Sequence, residues 1–291
     1  MILDAHCHAW QHWPYDTAVP DPSTRGSLEA LLYEMDALGH ATVVCARIGD
    51  GAGGEGFGNP DNNAYVSEFA RRHPDRITAW VDVDCSWRPE HHHPGAAQRL
   101  REELERSDAH GFTHYVEPDN DGWLRTDEGG EFFRTAAELG VIASLAFGPA
   151  WFEDLAETAR QNPTLPILLH HLAGPRPGLA EQDLPRLLTL ADLPNVGIKV
   201  SGFNYNSARS WDFPFADAQQ LFRRVHAAFG PTRLYWGSDF PASRDMLTYR
   251  QAIETVRTGG IVTGPDLDRV LGGNLERLLA EPVLASGADG T

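Results

Sequence analysis

Cysteine is scarce in this chain. Three residues in 291, Cys7, Cys45 and Cys85, sit inside or at the end of apolar runs. So small and odd a number, without framework spacing, excludes a disulfide-stapled scaffold and fits three small buried side chains. Positive charge is scarce as well: 24 Lys and Arg face 41 Asp and Glu, a formal net charge of −17. That balance argues against nucleic acid or an anionic membrane as partner, and it leaves room for an anionic small-molecule substrate, because a local cluster of arginines can outweigh the global field. No apolar stretch reaches the roughly 20 residues needed to cross a bilayer. The first strand-like run begins at once, with no basic segment or signal core before it, so a cytoplasmic protein is expected. No Gly-x-Gly-x-x-Gly follows that run, which removes the main support for an open dinucleotide-binding sheet. The Gly-rich stretch from Gly49 to Gly58 lacks the Lys-Ser/Thr ending of a phosphate loop and reads as a loop over a binding mouth. His91-His92-His93 reads as a solvated loop, with metal affinity as the lesser alternative.

What is present is alternation. Strand-like runs fall at 2–9, 42–48, 77–84, 112–117, 141–147, 166–171, 196–201 and 233–239. Helix-like segments lie between them. Ser27 to Leu38 carries Leu28, Leu31, Leu32 and Met35 at helical spacing, and Asn62 to Arg72 does the same with Ala64, Tyr65, Phe69 and Ala70. Eight such units predict a parallel (β/α)8 TIM barrel, formed by one domain over 1–284 with a small polar tail at 285–291. A homo-oligomer is compatible with this reading.

The polar residues of interest stand at strand ends. His6 and His8 are two apart in Asp4-Ala5-His6-Cys7-His8, so strand alternation sends both rings, with Asp4, to one face. The run Leu234-Tyr235-Trp236 ends in Gly237-Ser238-Asp239, and Ile167-Leu168-Leu169 ends in His170-His171. In a parallel barrel the strand ends share one mouth, so these residues can meet.

In this order and spacing the motifs resemble the amidohydrolase-related family of the amidohydrolase superfamily, which includes lactonases and decarboxylases similar to aminocarboxymuconate-semialdehyde decarboxylase. The resemblance spans nearly the whole chain. It rests on Asp4–His8, Arg72-His73-Pro74-Asp75-Arg76, His171-Leu172-Ala173-Gly174, Lys199-Val200-Ser201-Gly202, Trp236–Pro241 and Gly272–Leu278. It implies a barrel-mouth site in which Asp239 is the catalytic base and His171 a second catalytic group, while His170 points to the other face. It also implies a divalent metal, zinc for preference, on His6, His8 and Asp239; the alternative is a metal-free site. Two departures favour the metal-free relatives: the fifth strand carries no histidine, and the fourth lacks the Arg or Lys that many lactonases place there. Lys199 is expected inward, paired with a carboxylate, and Asn274 is expected to cap the last helix.

For substrate binding the sequence offers Arg47 and Arg176 on loops facing the mouth, and Trp10, with His12 and Trp13, as an aromatic wall. His114 or Glu117 on the fourth strand could replace the missing basic residue if its face is inward. The expected activity is hydrolysis of a lactone or similar cyclic ester by Asp-assisted attack of water. A metal-dependent decarboxylase of a small unsaturated or aromatic acid is the runner-up, and a catalytically silent barrel the third alternative.

Overall fold

The computed structural model describes residues 1–36, 39–48, 56–174 and 180–280. The Gly-rich segment up to residue 55, Arg176 and the expected tail at 285–291 lie outside them. Strands and helices alternate as β1 (Leu3–Cys7), α1 (Leu28–Met35), β2 (His40–Val44), α2 (Asn62–Arg72), β3 (Ile77–Asp82), α3 (Ala96–Ser107), β4 (Gly111–Tyr115) and α4 (Asp127–Glu138). The second half runs β5 (Ile142–Ala146), α5 (Phe152–Gln161), β6 (Ile167–Leu169), α6 (Ala180–Thr189), β7 (Val196–Val200), α7 (Ala216–Phe229), β8 (Leu234–Trp236) and α8 (Tyr249–Arg257). Short α9 (Pro265–Asp268) and α10 (Asn274–Ala280) follow. The eight strands pair in parallel in chain order. Past β8 the chain bonds back to β1, with Asp239 N donating to His6 O (2.8 Å) and His8 N to Phe240 O (2.6 Å), so the (β/α)8 barrel closes on the expected site residues.

Local chemistry starts the helices where the sequence offers caps. Ser27 accepts from Ala30 N ahead of α1, Thr126 from Gly129 N ahead of α4, and Thr248 forms a capping box with Gln251 ahead of α8. Asn274 does not cap α10. It is that helix's first residue, and its amide donates to the carbonyls of Pro231 and Leu234, fixing the chain where β8 begins.

The core has two parts. A large apolar layer lies between sheet and helices. A smaller plug of Leu3, Ala5, Val44, Trp80, Ile142, Leu168 and Tyr235, backed by Leu275, fills the barrel interior. The three cysteines are buried and unpaired. Among the described residues no helix is long and apolar enough to cross a membrane.

Candidate active site at the barrel mouth

Strand β1 breaks simple alternation. Asp4 pairs with Ala41 and Cys7 with Val43, so β1 spends three steps where β2 spends two, the signature of a bulge. Leu3 and Ala5 enter the interior plug while Cys7 joins the outer layer. Asp4 therefore does not share the face of His6 and His8. Its carboxylate accepts from Ser238 N, His6 N and the Tyr249 hydroxyl, tying β1 to the start of the β8 loop and to α8.

At the mouth His6, His8, His171 and Asp239 come together. Asp239 Oδ1 lies 3.5 Å from His6 Nε2, 3.5 Å from His8 Nε2 and 3.8 Å from His171 Nε2. Asp239 Oδ2 accepts from the Tyr205 hydroxyl at 2.7 Å. The approach of β1 and the β8 loop is close enough to require glycine: a Cβ on Gly237 would stand 2.6 Å from His6 Cβ. Asp239 itself has a positive φ of 56°, which a short polar side chain tolerates better than most.

His171 arrives by a different device. Residues His171 to Gly174 all have positive φ, a left-handed turn rare outside functional sites. Asn206 holds it by donating to His171 O (2.9 Å), and Ser201 meets the ring at Nδ1 (3.0 Å). The expectation that His170 faces away is incorrect. Leu168 is interior, so the residue two further along is interior too, and the His170 ring lies 4.4 Å from that of His6.

Beneath the cluster lies Lys199, the one lysine of the chain and fully buried. Its partner is not the expected carboxylate. Nζ meets His6 Nδ1 at 3.1 Å and donates to Ser144 Oγ at 2.6 Å, over the Trp80 ring. Ser144 in turn bonds His170 Nε2 at 2.6 Å, so the fifth strand contributes a hydroxyl where metal-binding relatives are expected to carry histidine. Burial pushes the Lys199 ammonium well below its ordinary range. A protonated Lys199 can only donate to His6 Nδ1, which places the His6 proton on Nε2; a neutral amine lets His6 keep its proton on Nδ1 and frees Nε2.

The titration states follow from burial. His6 and His170 are held neutral by desolvation, with Lys199 adding to it. His171 is pushed down to about 4, desolvation outweighing the attraction of Asp239. Asp239 goes the other way. Burial would raise it, but His171, His8 and Tyr205 together hold it below the ordinary carboxylate value. At neutral pH the site is thus a carboxylate facing the neutral imidazoles of His6 and His171.

One ligand atom each from His6, His8 and Asp239 lies within 4.8 Å of the others, as do those of His6, His170 and His171. The first set suits a divalent ion. His6 Nε2 is buried with no hydrogen-bond partner among the described residues. His8 Nδ1 lies 2.7 Å from Val44 O, the contact to a backbone carbonyl that orients metal-bound histidines. The 3.5 Å spacings are near the ~3.3 Å between ligand atoms around tetrahedral zinc.

The other expected site residues are placed differently. Trp10 is buried, stacks on His8 with ring centroids 5.2 Å apart, and donates to Ala46 O, so it backs the ligand ring. Arg47 already has an anion: Nε lies 3.4 Å from buried Asp82, and its backbone N donates to the same carboxylate. His114 points into the outer layer against Trp123, Phe132 and Phe147, and cannot replace a basic residue at the mouth. Tyr205 was not singled out by the sequence, because it lies in an irregular loop after β7 with no pattern to mark it.

Residues 3–280 match the family model described as Amidohydrolase. Among curated relatives, an L-fucono-1,5-lactonase of Burkholderia multivorans is 27% identical over 281 residues, covering 88% of this chain and 87% of the relative. The uncharacterized protein y4mH of Sinorhizobium fredii is 24% identical, with 85% and 87% covered. Among solved structures, an amidohydrolase from Burkholderia multivorans with bound zinc superposes with a TM-score of 0.73 at 21% identity, covering 97% of this chain and 100% of that one. A probable 2-pyrone-4,6-dicarboxylic acid hydrolase from Acinetobacter baumannii with citric acid bound gives 0.70 at 21% identity, with 95% and 98% covered. At these identities the structural likeness speaks for the fold.

Proposed function

Since this chain belongs to the amidohydrolase family, we propose that it is a hydrolase that opens the lactone ring of a small, neutral, sugar-like substrate. The observation that carries the reading is the convergence of three imidazoles, those of His6 and His171 held neutral by burial, on one oxygen of an ionised, buried carboxylate. That arrangement can hold a water, take its proton and polarise a carbonyl within one small volume. The lactonase name of a relative at 27% identity agrees with it.

In this reading Tyr205 occupies Asp239 Oδ2 and leaves Oδ1 to receive the proton of the attacking water. The hydroxide adds to the lactone carbonyl. The carbonyl–ring-oxygen bond then breaks, and protonated Asp239 returns the proton to the departing alkoxide, giving a hydroxy acid. His171 contacts the carbonyl oxygen from the left-handed turn and stabilises its developing charge. His6, His8 and Asp239 would hold a divalent ion of the zinc type, which when bound supplies Lewis-acid polarisation and a more acidic water. Lys199 sets the tautomer of His6 from below. The preference for a neutral substrate rests on Arg47, whose guanidinium is engaged by Asp82, and on the acidic chain as a whole.

Lactone opening releases one proton at neutral pH, and decarboxylation consumes one. Purified protein should acidify weakly buffered solutions of aldono-1,4- and 1,5-lactones, read with a pH indicator, and leave dicarboxylated pyrones less affected. Alkalinisation with aromatic acids and no response to any lactone would replace this reading with the decarboxylase one.

A further inference from the structure

The histidines at 91 and 92 are not a solvated run. The loop between β3 and α3 is organised around Asp84 and Arg99: Arg99 Nε donates to Asp84 Oδ1 (2.8 Å), and the guanidinium also donates to the carbonyls of Glu90, His93 and Pro94. Asp84 Oδ2 accepts from His92 N (2.8 Å), where the backbone has a positive φ of 56°. This framework stacks the His91 and His92 rings on each other, lays His92 flat on Trp123 at 4.1 Å, and turns both toward buried His114 on β4.

Each of the three rings has its Nδ1 against an oxygen. His91 Nδ1 is 2.5 Å from Asp84 O, His92 Nδ1 is 2.6 Å from Asp121 Oδ2, and His114 Nδ1 is 3.0 Å from Val83 O. None of these oxygens can donate, so each Nδ1 carries the proton, and Nε2 is the nitrogen left to face the cluster. His92 Nε2 and His114 Nε2 then stand 3.2 Å apart. Two lone pairs at that distance repel unless a cation or a proton lies between them. The spacing matches the ~3.3 Å between nitrogens sharing a tetrahedral zinc, and one ligand atom of each of the three residues lies within 4.8 Å of the others. A ring N–H that donates to a carbonyl or carboxylate behind it is the usual backing of a metal-bound histidine.

We propose that His91, His92 and His114 form a second divalent-metal site, separate from the barrel mouth, that takes a zinc-type ion with water in the fourth position. Here the ion is structural: it pins the β3–α3 loop and the segment carrying Asp121 and Trp123 to the outer face of β4. Three imidazoles suit Zn(II), Co(II), Ni(II) and Cu(II) and do not suit Mg(II) or Ca(II). The rival arrangement is a His92 imidazolium that donates to His114 and pairs with Asp121, with no ion.

Equilibrium dialysis of the full chain against Zn(II), with metal content measured by mass spectrometry, separates the two. The native chain should bind one equivalent more than His91→Ala and His92→Ala. In the His6→Ala/His8→Ala background one equivalent should remain, and Co(II) in its place should give the visible absorption of a tetrahedral ion. Zinc at a hundredfold excess over its dissociation constant should raise the melting temperature of that background by about 5 °C, and this rise should vanish with His91→Ala. Should His92→Ala fail to fold, His91→Ala, which removes a half-buried ring, carries the comparison. Equal zinc content in the native chain and both single variants would overturn the site in favour of the imidazolium. None of these readouts uses lactone turnover, so the proposed activity can fail while this site stands, and the reverse.

Discussion

Asp239→Asn is expected to lower turnover of any accepted lactone by about 10²–10⁴-fold while the protein stays folded and KM changes little. The substitution keeps the shape of the side chain. Asn tolerates the positive φ of 56° at this position as well as Asp does, so the β8 loop is preserved. What is lost is the oxygen that can take a proton between His6, His8 and His171. Loss of one orienting imidazole is a smaller change, because the neighbouring rings and water can take over part of its role. If Asp239→Asn turned over at close to the parent rate while His171→Ala did not, the base would be the histidine.

Acid is expected to unfold the metal-free protein early. His6, His114, His170 and His171 are all kept neutral in the fold, burial being the first cause at each. In the unfolded chain a histidine titrates near 6.5, so below that pH the unfolded state takes up the protons first and stability falls as pH falls. Each ring that stays neutral down to pH 5 costs about 2 kcal/mol there, and four cost about 8 kcal/mol. Asp4 acts in the opposite sense. Burial raises it to about 6, so its protonation in the native state restores roughly 1 kcal/mol by pH 5. The histidines dominate, and their sum is comparable with the whole stability of a typical domain. Urea midpoints in the presence of chelator should therefore drop steeply between pH 7 and 5, with an uptake of more than two protons on unfolding. An uptake below one proton would show that the rings are charged in the fold.

The barrel was legible because eight apolar runs alternate with helical periodicity, and all eight became strands within a few residues of their expected bounds. His6, His8, His171 and Asp239 were legible because they end such runs. The errors have specific causes. Strict alternation puts Asp4 on the face of His6, and one extra residue in β1 breaks that rule. Placing His171 at the mouth turns its neighbour His170 outward only if the strand runs on through both; β6 ends at Leu169 and His171 swings in through a left-handed turn, so His170 follows interior Leu168. Lys199 carries a signal of its own: a lone lysine in a chain whose other basic residues are all arginine or histidine, set in an apolar run, marks a special environment. Tyr205, which completes the contacts of Asp239, and the meeting of His91 and His92 with His114 depend on loop conformations that no periodicity encodes.

The central claim is that Asp239 directs water to an ester carbonyl, and the most direct test is a turnover in oxygen-18 water with an accepted lactone. The account predicts one labelled oxygen in the carboxylate of the hydroxy acid and none in its hydroxyl groups, because the bond that breaks is the one between the carbonyl carbon and the ring oxygen. Label in the newly freed hydroxyl would mean attack at the alkyl carbon, and carbon dioxide with an unlabelled product would mean a lyase; either result would contradict it.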